Sequence, residues 1–313
     1  MQDSGLKEVV IGVGHLRRQV DFYTQTLGLR IQARGRIAAA TSAALWAVDE
    51  EIAMVRLRRN DLPSSLALRL VPAFDLPARP DFKIETPGPL GFLFGTEDIT
   101  RVFYRLSGAG VEFYGSPVEV GPRGPHRRRQ TRHLAFGRAY DGEYIALAQP
   151  LQGPLLDGSV SPYFGVSEPL EISFVVCDPD AASRFLEEGL GFETVLSARR
   201  SGTAREQAMG LAPGTAFTLQ TLKDPLSELR VSLLCFGTHG VQTEIRPPAR
   251  GISALRFHCL DVQQSFERCL RAGGRANGRP LLLDDPADGH GLGVSLMSPL
   301  GTQIELWQSL HDT

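Results

Sequence analysis

Two glutamates, Glu171 and Glu305, interrupt apolar runs that alternate with the period of a β-strand, a setting in which a carboxylate can become a general base. In 171–176, Ile172, Phe174 and Val176 alternate with Glu171, Ser173 and Val175. In 303–307, Ile304 and Leu306 oppose Gln303, Glu305 and Trp307; in 254–259, Leu255, Phe257 and Cys259 oppose Ala254, Arg256 and His258. A concave site gathering the polar faces would hold Glu171 and Glu305 as catalytic carboxylates. Arg256 and His258 would stabilise a developing oxyanion, and Ser173, Gln303 and Trp307 would contact substrate. Burial beside a second carboxylate raises a Glu pKa towards neutrality, which suits proton transfer. The plainer alternative is the solvated face of a half-buried sheet, with Arg256 salt-bridging both glutamates. The residues alone leave both readings open.

The elements that would position these residues recur along the chain. Four segments share an apolar strand, a turn, an amphipathic helix, a glycine and a further strand; they begin at Glu8, Leu90, Glu171 and Ala254. Their turn residues His15, Asp98, Asp178 and Asp261 lie 83, 80 and 83 positions apart by subtraction of their numbers. The three aspartates suit helix N-caps, and Gly28, Gly108, Gly191 and Gly273 suit left-handed helix stops. Further strands are expected at 51–58 and 65–72, 132–136 and 144–148, 216–222 and 229–236, and 293–298 and 302–307. The pattern is βαβββ, four times: an α+β chain of two domains, 1–150 and 168–313, joined by a linker at 151–167.

Composition excludes several function classes. A net charge of −2 offers no general field for nucleic acid or an anionic membrane. The apolar runs are strand-length, too short to span a bilayer. Cys177, Cys235, Cys259 and Cys269 lack paired spacing and read as buried thiols in a reducing compartment; with no basic, apolar start, this predicts a cytoplasmic protein. The run 122–133 carries five arginines and two histidines; it reads as a solvated loop or as an anion-catching flap for a carboxylate, phosphate or CoA-like group. The glycines at 289–293 read as a hairpin loop, and His133 as a structural residue opening a strand.

The phrases DFYTQTLGL, FLEEGLGFETV, AYDGEYIAL and SPLGTQIELW resemble those of the vicinal oxygen chelate superfamily, which includes glyoxalase I, bleomycin- and fosfomycin-resistance proteins and extradiol dioxygenases. The resemblance implies βαβββ modules paired into U-shaped, mixed sheets around a cavity, with a divalent metal held from the first and last strands of the modules. The matching first-strand positions are Glu8, Gly91, Glu171 and Ala254; the last-strand positions are Arg69, Ala146, Ser232 and Glu305. Glycine and alanine cannot ligate and a guanidinium repels cations, so a centre of two histidines and a carboxylate is not expected. Mg, Mn or Fe held by Glu171, Glu305 and water stays compatible with the residues.

In the N-terminal half, Glu8 and Arg69 are the charges expected to meet a ligand, and Tyr144 offers a stacking surface. Gly12, Gly91, Gly95, Ala146 and Ala148 would leave room for a bulky apolar ligand, or mark a collapsed pseudo-site. The resemblance therefore leads to a metal-poor enzyme acting on a small aromatic or polyketide-like molecule by proton abstraction, as an isomerase, lyase or cyclase. A non-catalytic small-molecule binder and a divergent dioxygenase are the alternatives, and a homodimer is compatible with each.

Overall fold

The computed structural model describes residues 4–59, 66–74, 83–121, 132–151, 160–161, 163–237 and 241–310. The first module runs β1 (Ser4–Val13), α1 (Leu16–Asp21), β2 (Arg30–Ile37), α2 (Ala39–Trp46), β3 (Ile52–Arg58) and β4 (Ala67–Pro72). The second comprises β5 (Gly88–Gly95), α3 (Ile99–Gly108), β6 (Glu112–Phe113), β7 (Val118–Val120), β8 (Arg132–Arg138) and β9 (Tyr144–Pro150). The third has β10 (Pro169–Val175), α4 (Pro179–Arg184), β11 (Glu193–Arg200), α5 (Thr203–Met209), β12 (Phe217–Lys223) and β13 (Arg230–Cys235). The fourth has β14 (Gly251–Cys259), α6 (Val262–Arg271), β15 (Arg275–Ala276), β16 (Leu281–Asp285), β17 (Gly289–Met297) and β18 (Gln303–Ser309).

The helix starts follow their side-chain chemistry. Asp98, Asp178 and Asp261 each accept a hydrogen bond from the backbone N–H three residues on, at 2.9 Å. Gly28, Gly191 and Gly273 take positive φ as expected. Gly108 does not: it ends α3, and Gly110 supplies the left-handed turn. The glycines from 289 are also corrected, because they open β17, which pairs with β16, and are not a loop.

Strand pairing corrects the expected partnership of modules within 1–150 and within 168–313. Among the described residues the strands form two mixed sheets of nine strands each. In one, β1 pairs with β14, so module one joins module four; in the other, β5 pairs with β10, so module two joins module three. Alternation specifies which face of a strand is apolar but not which strand lies beside it. The faces themselves are as expected. Val9, Leu68, Phe92, Leu147, Ile172, Leu233, Leu255 and Ile304, drawn from all four modules, enter one continuous core. Each sheet keeps a smaller apolar cluster on its opposite, concave face. Among the described residues no helix is long and apolar enough to cross a membrane.

Candidate functional site

The two concave faces carry equivalent positions in different chemistry. In the β1/β14 sheet, Glu8 lies across from Arg256, and Arg256 beside Glu305. In the β5/β10 sheet the same register sets Glu171 across from Leu93, and Leu93 beside Ala146. Arg69 and Ser232 each stand two residues beyond the partner of the first-strand glutamate, Ala67 and Arg230 respectively. The equivalent quartets are thus Glu8, Arg69, Arg256 and Glu305 on one sheet, and Glu171, Ser232, Leu93 and Ala146 on the other. The position assigned from sequence to Ala254 belongs to Arg256, and that assigned to Gly91 belongs to Leu93.

Neither quartet fits a metal ion. The first sets two carboxylates against two guanidiniums, and the second offers one carboxylate and one hydroxyl. Neither contains a histidine, so an iron centre with two imidazoles has no ligands at these positions. Glu171 and Glu305 lie on different sheets and cannot share a cation. Among the described residues no group of three or more His, Cys, Asp or Glu side chains is arranged to hold one.

The β1/β14 cleft is filled. Arg69 reaches Glu8 at 2.6 Å and Asp285 at 2.6 Å. Arg256 reaches Glu305 at 2.8 Å, Asp285 at 2.7 Å and Asp288 at 2.9 Å. Arg56 bridges Glu8 and Asp288, each at 2.7 Å. Burial alone would raise the pKa values of Asp285 and Asp288. Arg256 and Arg69 hold Asp285 well below the usual carboxylate range; His258, Arg256 and Arg56 do the same for Asp288. Helix α2 lies over this network: Trp46 Nε1 donates to Glu305 Oε1, Ser295 Oγ donates to the Leu45 carbonyl at 2.7 Å, and Gln303 Nε2 to the same carbonyl at 3.0 Å.

Several expected site residues are therefore corrected. Glu8, Arg69, Arg256, Gln303, Glu305 and Trp307 are buried, and the α2 plug leaves no ligand surface on them. The guanidinium of Arg256 stands 5.1 Å above the Trp307 ring. His258 keeps 28% of its surface, with Nε2 at 3.5 Å from Asp288. Arg256, His258 and Glu305 come together as expected, but without Glu171 and Ser173.

The β5/β10 cleft is open, with a cavity of about 700 Å³. Leu90, Leu93, Leu134, Phe217, Leu219 and Leu234 make its walls apolar. Glu171 and Ser173 line it from β10, as the alternation requires. Ser173 Oγ donates to Glu171 Oε1 at 3.2 Å, and Ser232 also hydrogen-bonds the carboxylate. Ser232 in turn shares a hydrogen bond with Thr221, 2.9 Å between oxygens. Burial raises the Glu171 pKa above its ordinary value; the hydroxyl of Ser232, the charge of Arg132, Ser173 and Arg230 offset part of that rise. Tyr144 belongs to the wall behind this cavity. Its ring stacks on Tyr114 at 5.8 Å between centroids, so that face is taken. Gly91 leaves no ligand space either: a Cβ there would stand 2.0 Å from the Tyr144 carbonyl oxygen, so it serves close strand approach.

Among the described residues, five arginines line the same cavity: Arg132, Arg199, Arg200, Arg205 and Arg230. Sequence reasoning passed over all but Arg132. The strand phase of Arg230, two residues before Ser232, was the available signal. Arg200 ends β11, the strand expected after Gly191, whereas Arg205 lies on α5, a helix the repeat had not resolved. The expected anion flap at 122–133 lies outside the described residues apart from Arg132 and His133, which open β8.

Residues 5–124 match the model of the Glyoxalase/Bleomycin resistance protein/Dioxygenase superfamily. Glyoxalase I from Zea mays is similar in structure, with a TM-score of 0.65 at 18% identity, covering 98% of this chain and 92% of that one. A putative dioxygenase from Bacillus subtilis subsp. subtilis str. 168 gives a TM-score of 0.60 at 13% identity, covering 98% of this chain and 86% of that one. No curated protein matches the chain. At these identities the likeness to solved structures shows the fold alone, and the resemblance read from the sequence phrases holds at that level. The chain thus matches the Glyoxalase/Bleomycin resistance protein/Dioxygenase superfamily model over residues 5–124, and over nearly its whole length it shares the fold of the glyoxalase I and putative dioxygenase structures.

Proposed function

We propose that the β5/β10 cleft is an active site in which Glu171 removes a carbon-bound proton beside a carbonyl of a small, largely apolar organic substrate. The observation that carries this is a half-buried carboxylate with a raised pKa, the one acidic side chain among the described residues lining an apolar cavity of about 700 Å³, a volume suited to a metabolite-sized ligand. Glu171 takes the proton, and the C–H electron pair moves onto the carbonyl oxygen as an enolate. Arg132 and Arg230, whose charges already act on Glu171, stabilise that oxyanion. Returning the proton to another carbon completes an isomerisation; expelling a β-substituent completes an elimination. The quartet around Glu171 does not fit a metal, so no step passes through one.

A second reading, a small-molecule binder without turnover, is favoured by one observation: the Glu171 carboxylate is already engaged by two serine hydroxyls. Proton NMR in D₂O over a panel of aromatic and polyketide-like ketones tests the first reading. The native protein is expected to exchange a proton next to the carbonyl. Glu171→Gln should slow that exchange by about 10²–10⁴-fold, the range for loss of a general base, while ligand line-broadening persists. Exchange at the native rate in Glu171→Gln removes the role of Glu171. Tight stoichiometric binding with no exchange selects the binder.

A further inference from the structure

The cavity that holds Glu171 has a second chemical demand at its rim. Arg132 opens β8, Arg200 closes β11 and Arg205 lies on α5, so three separate elements bring guanidiniums to one space. Their surroundings differ from those of the arginines in the filled cleft. Arg56, Arg69 and Arg256 each reach two or more carboxylates. The guanidiniums of Arg132, Arg200 and Arg205 make no hydrogen bond or ion pair to a described residue, and the Arg200 Nε is buried without a partner. The carboxylate that acts on this group is Glu171, through Arg132. Burial, and then the charges of Arg200 and Arg132, push the Arg205 guanidinium down to about 10. Like charges gathered in a half-dry cleft are costly unless an anion joins them.

We propose that Arg132, Arg200 and Arg205 form an anion subsite that selects substrates carrying a dianionic oxyanion head, a phosphate monoester or a malonate-type dicarboxylate, on an apolar body. A single carboxylate would leave most of this positive charge uncompensated. A dianion offers enough acceptor oxygens for forked contacts from three guanidiniums at once. The apolar walls, with Leu93 and Phe217 among them, would take the body of the ligand. The inference rests on the reading of this cleft as the ligand site and names the substrate class for it.

The test is direct binding by calorimetry of four probes sharing one ring system: 1-naphthyl phosphate, 1-naphthylmalonate, 1-naphthoate and 1-naphthol. At least one dianion is expected to bind about tenfold or more tightly than both the monoanion and the neutral probe, the two dianion arms showing which head is preferred. Arg200→Gln and Arg205→Gln, both at the cavity rim, should each remove that advantage, whereas Arg205→Lys should keep part of it. The preference should also weaken as salt is raised. Equal affinity for monoanion and dianion overturns the proposal, as does an undiminished preference in both glutamine variants shown to be folded by circular dichroism. The Glu171→Gln protein separates the two claims. It should retain the dianion preference whatever happens to proton exchange, so the subsite and the base fail independently.

Discussion

At the scale of single residues, Glu143 shows how burial, reinforced by a neighbouring charge, sets a pH response. It sits between the first two modules, where Gln19 Nε2 and Tyr23 Oη each donate to Glu143 Oε1 at 3.2 Å. Burial first, and then the charge of Asp141, raise its pKa from 4.5 to about 7. A raised carboxyl pKa means that the folded chain holds the proton more tightly than the unfolded one. Its contribution to stability is therefore complete below pH 4.5 and is lost as pH rises to about 7. Glu143→Gln keeps the hydrogen-bonding shape without the charge. It should flatten that part of the pH dependence and stabilise the protein at pH 8 by roughly 1–3 kcal/mol. Urea unfolding of both proteins between pH 5 and 8 measures this; parallel curves would show that Glu143 does not titrate in that window. The grouping of Gln19, Tyr23 and Glu143 was not legible in the sequence, because it depends on contacts 120 and 124 residues apart.

At the scale of elements, one register has been used twice. Glu8 and Glu171 occupy equivalent places, yet α2 and the turn at 285–288 fill the first cleft while α5 leaves the second open. Trp46 of α2 reaches Glu305, whereas Arg205 and Met209 of α5 line a cavity. Strand alternation made Arg256, His258 and Glu305 legible as one polar face, and that part of the sequence reading holds. The plug was not legible. The run Ala39–Trp46 is mostly small residues with little amphipathic contrast, and nothing in it announces a lid. The buried network should resist partial dismantling. Arg256→Met leaves Asp285, Asp288 and Glu305 short of a buried counter-charge, and should cost about 3–5 kcal/mol of unfolding free energy. Loss of less than about 1 kcal/mol in chemical denaturation would mean that water reaches this network despite the burial of its members.

At the scale of the whole molecule, four strand–helix units of similar order are joined out of chain order. The recurrence was visible because each unit carries its own strand and helix, and three of the four an aspartate cap. The partnership was not, because β1 and β10 present equally apolar faces to any neighbour of matching register. Closing each sheet requires strands from both halves: β1 lies against β14, and β5 against β10. The continuous core likewise draws on every module. Separating the chain within 151–167 would leave each half with two unpaired first strands and half a core, the exposed edges that drive aggregation. Residues 1–160 or 161–313 produced alone should therefore not unfold cooperatively as monomers. Produced together, they should recover a one-to-one complex with a single sharp melting transition, since none of the described residues of 151–167 belongs to a strand of either sheet. Size-exclusion chromatography with calorimetry distinguishes the cases. A monomeric half that melts cooperatively by itself would show that modules one and two, or three and four, can close a sheet without their crossed partners, and would return the domain boundary to the linker.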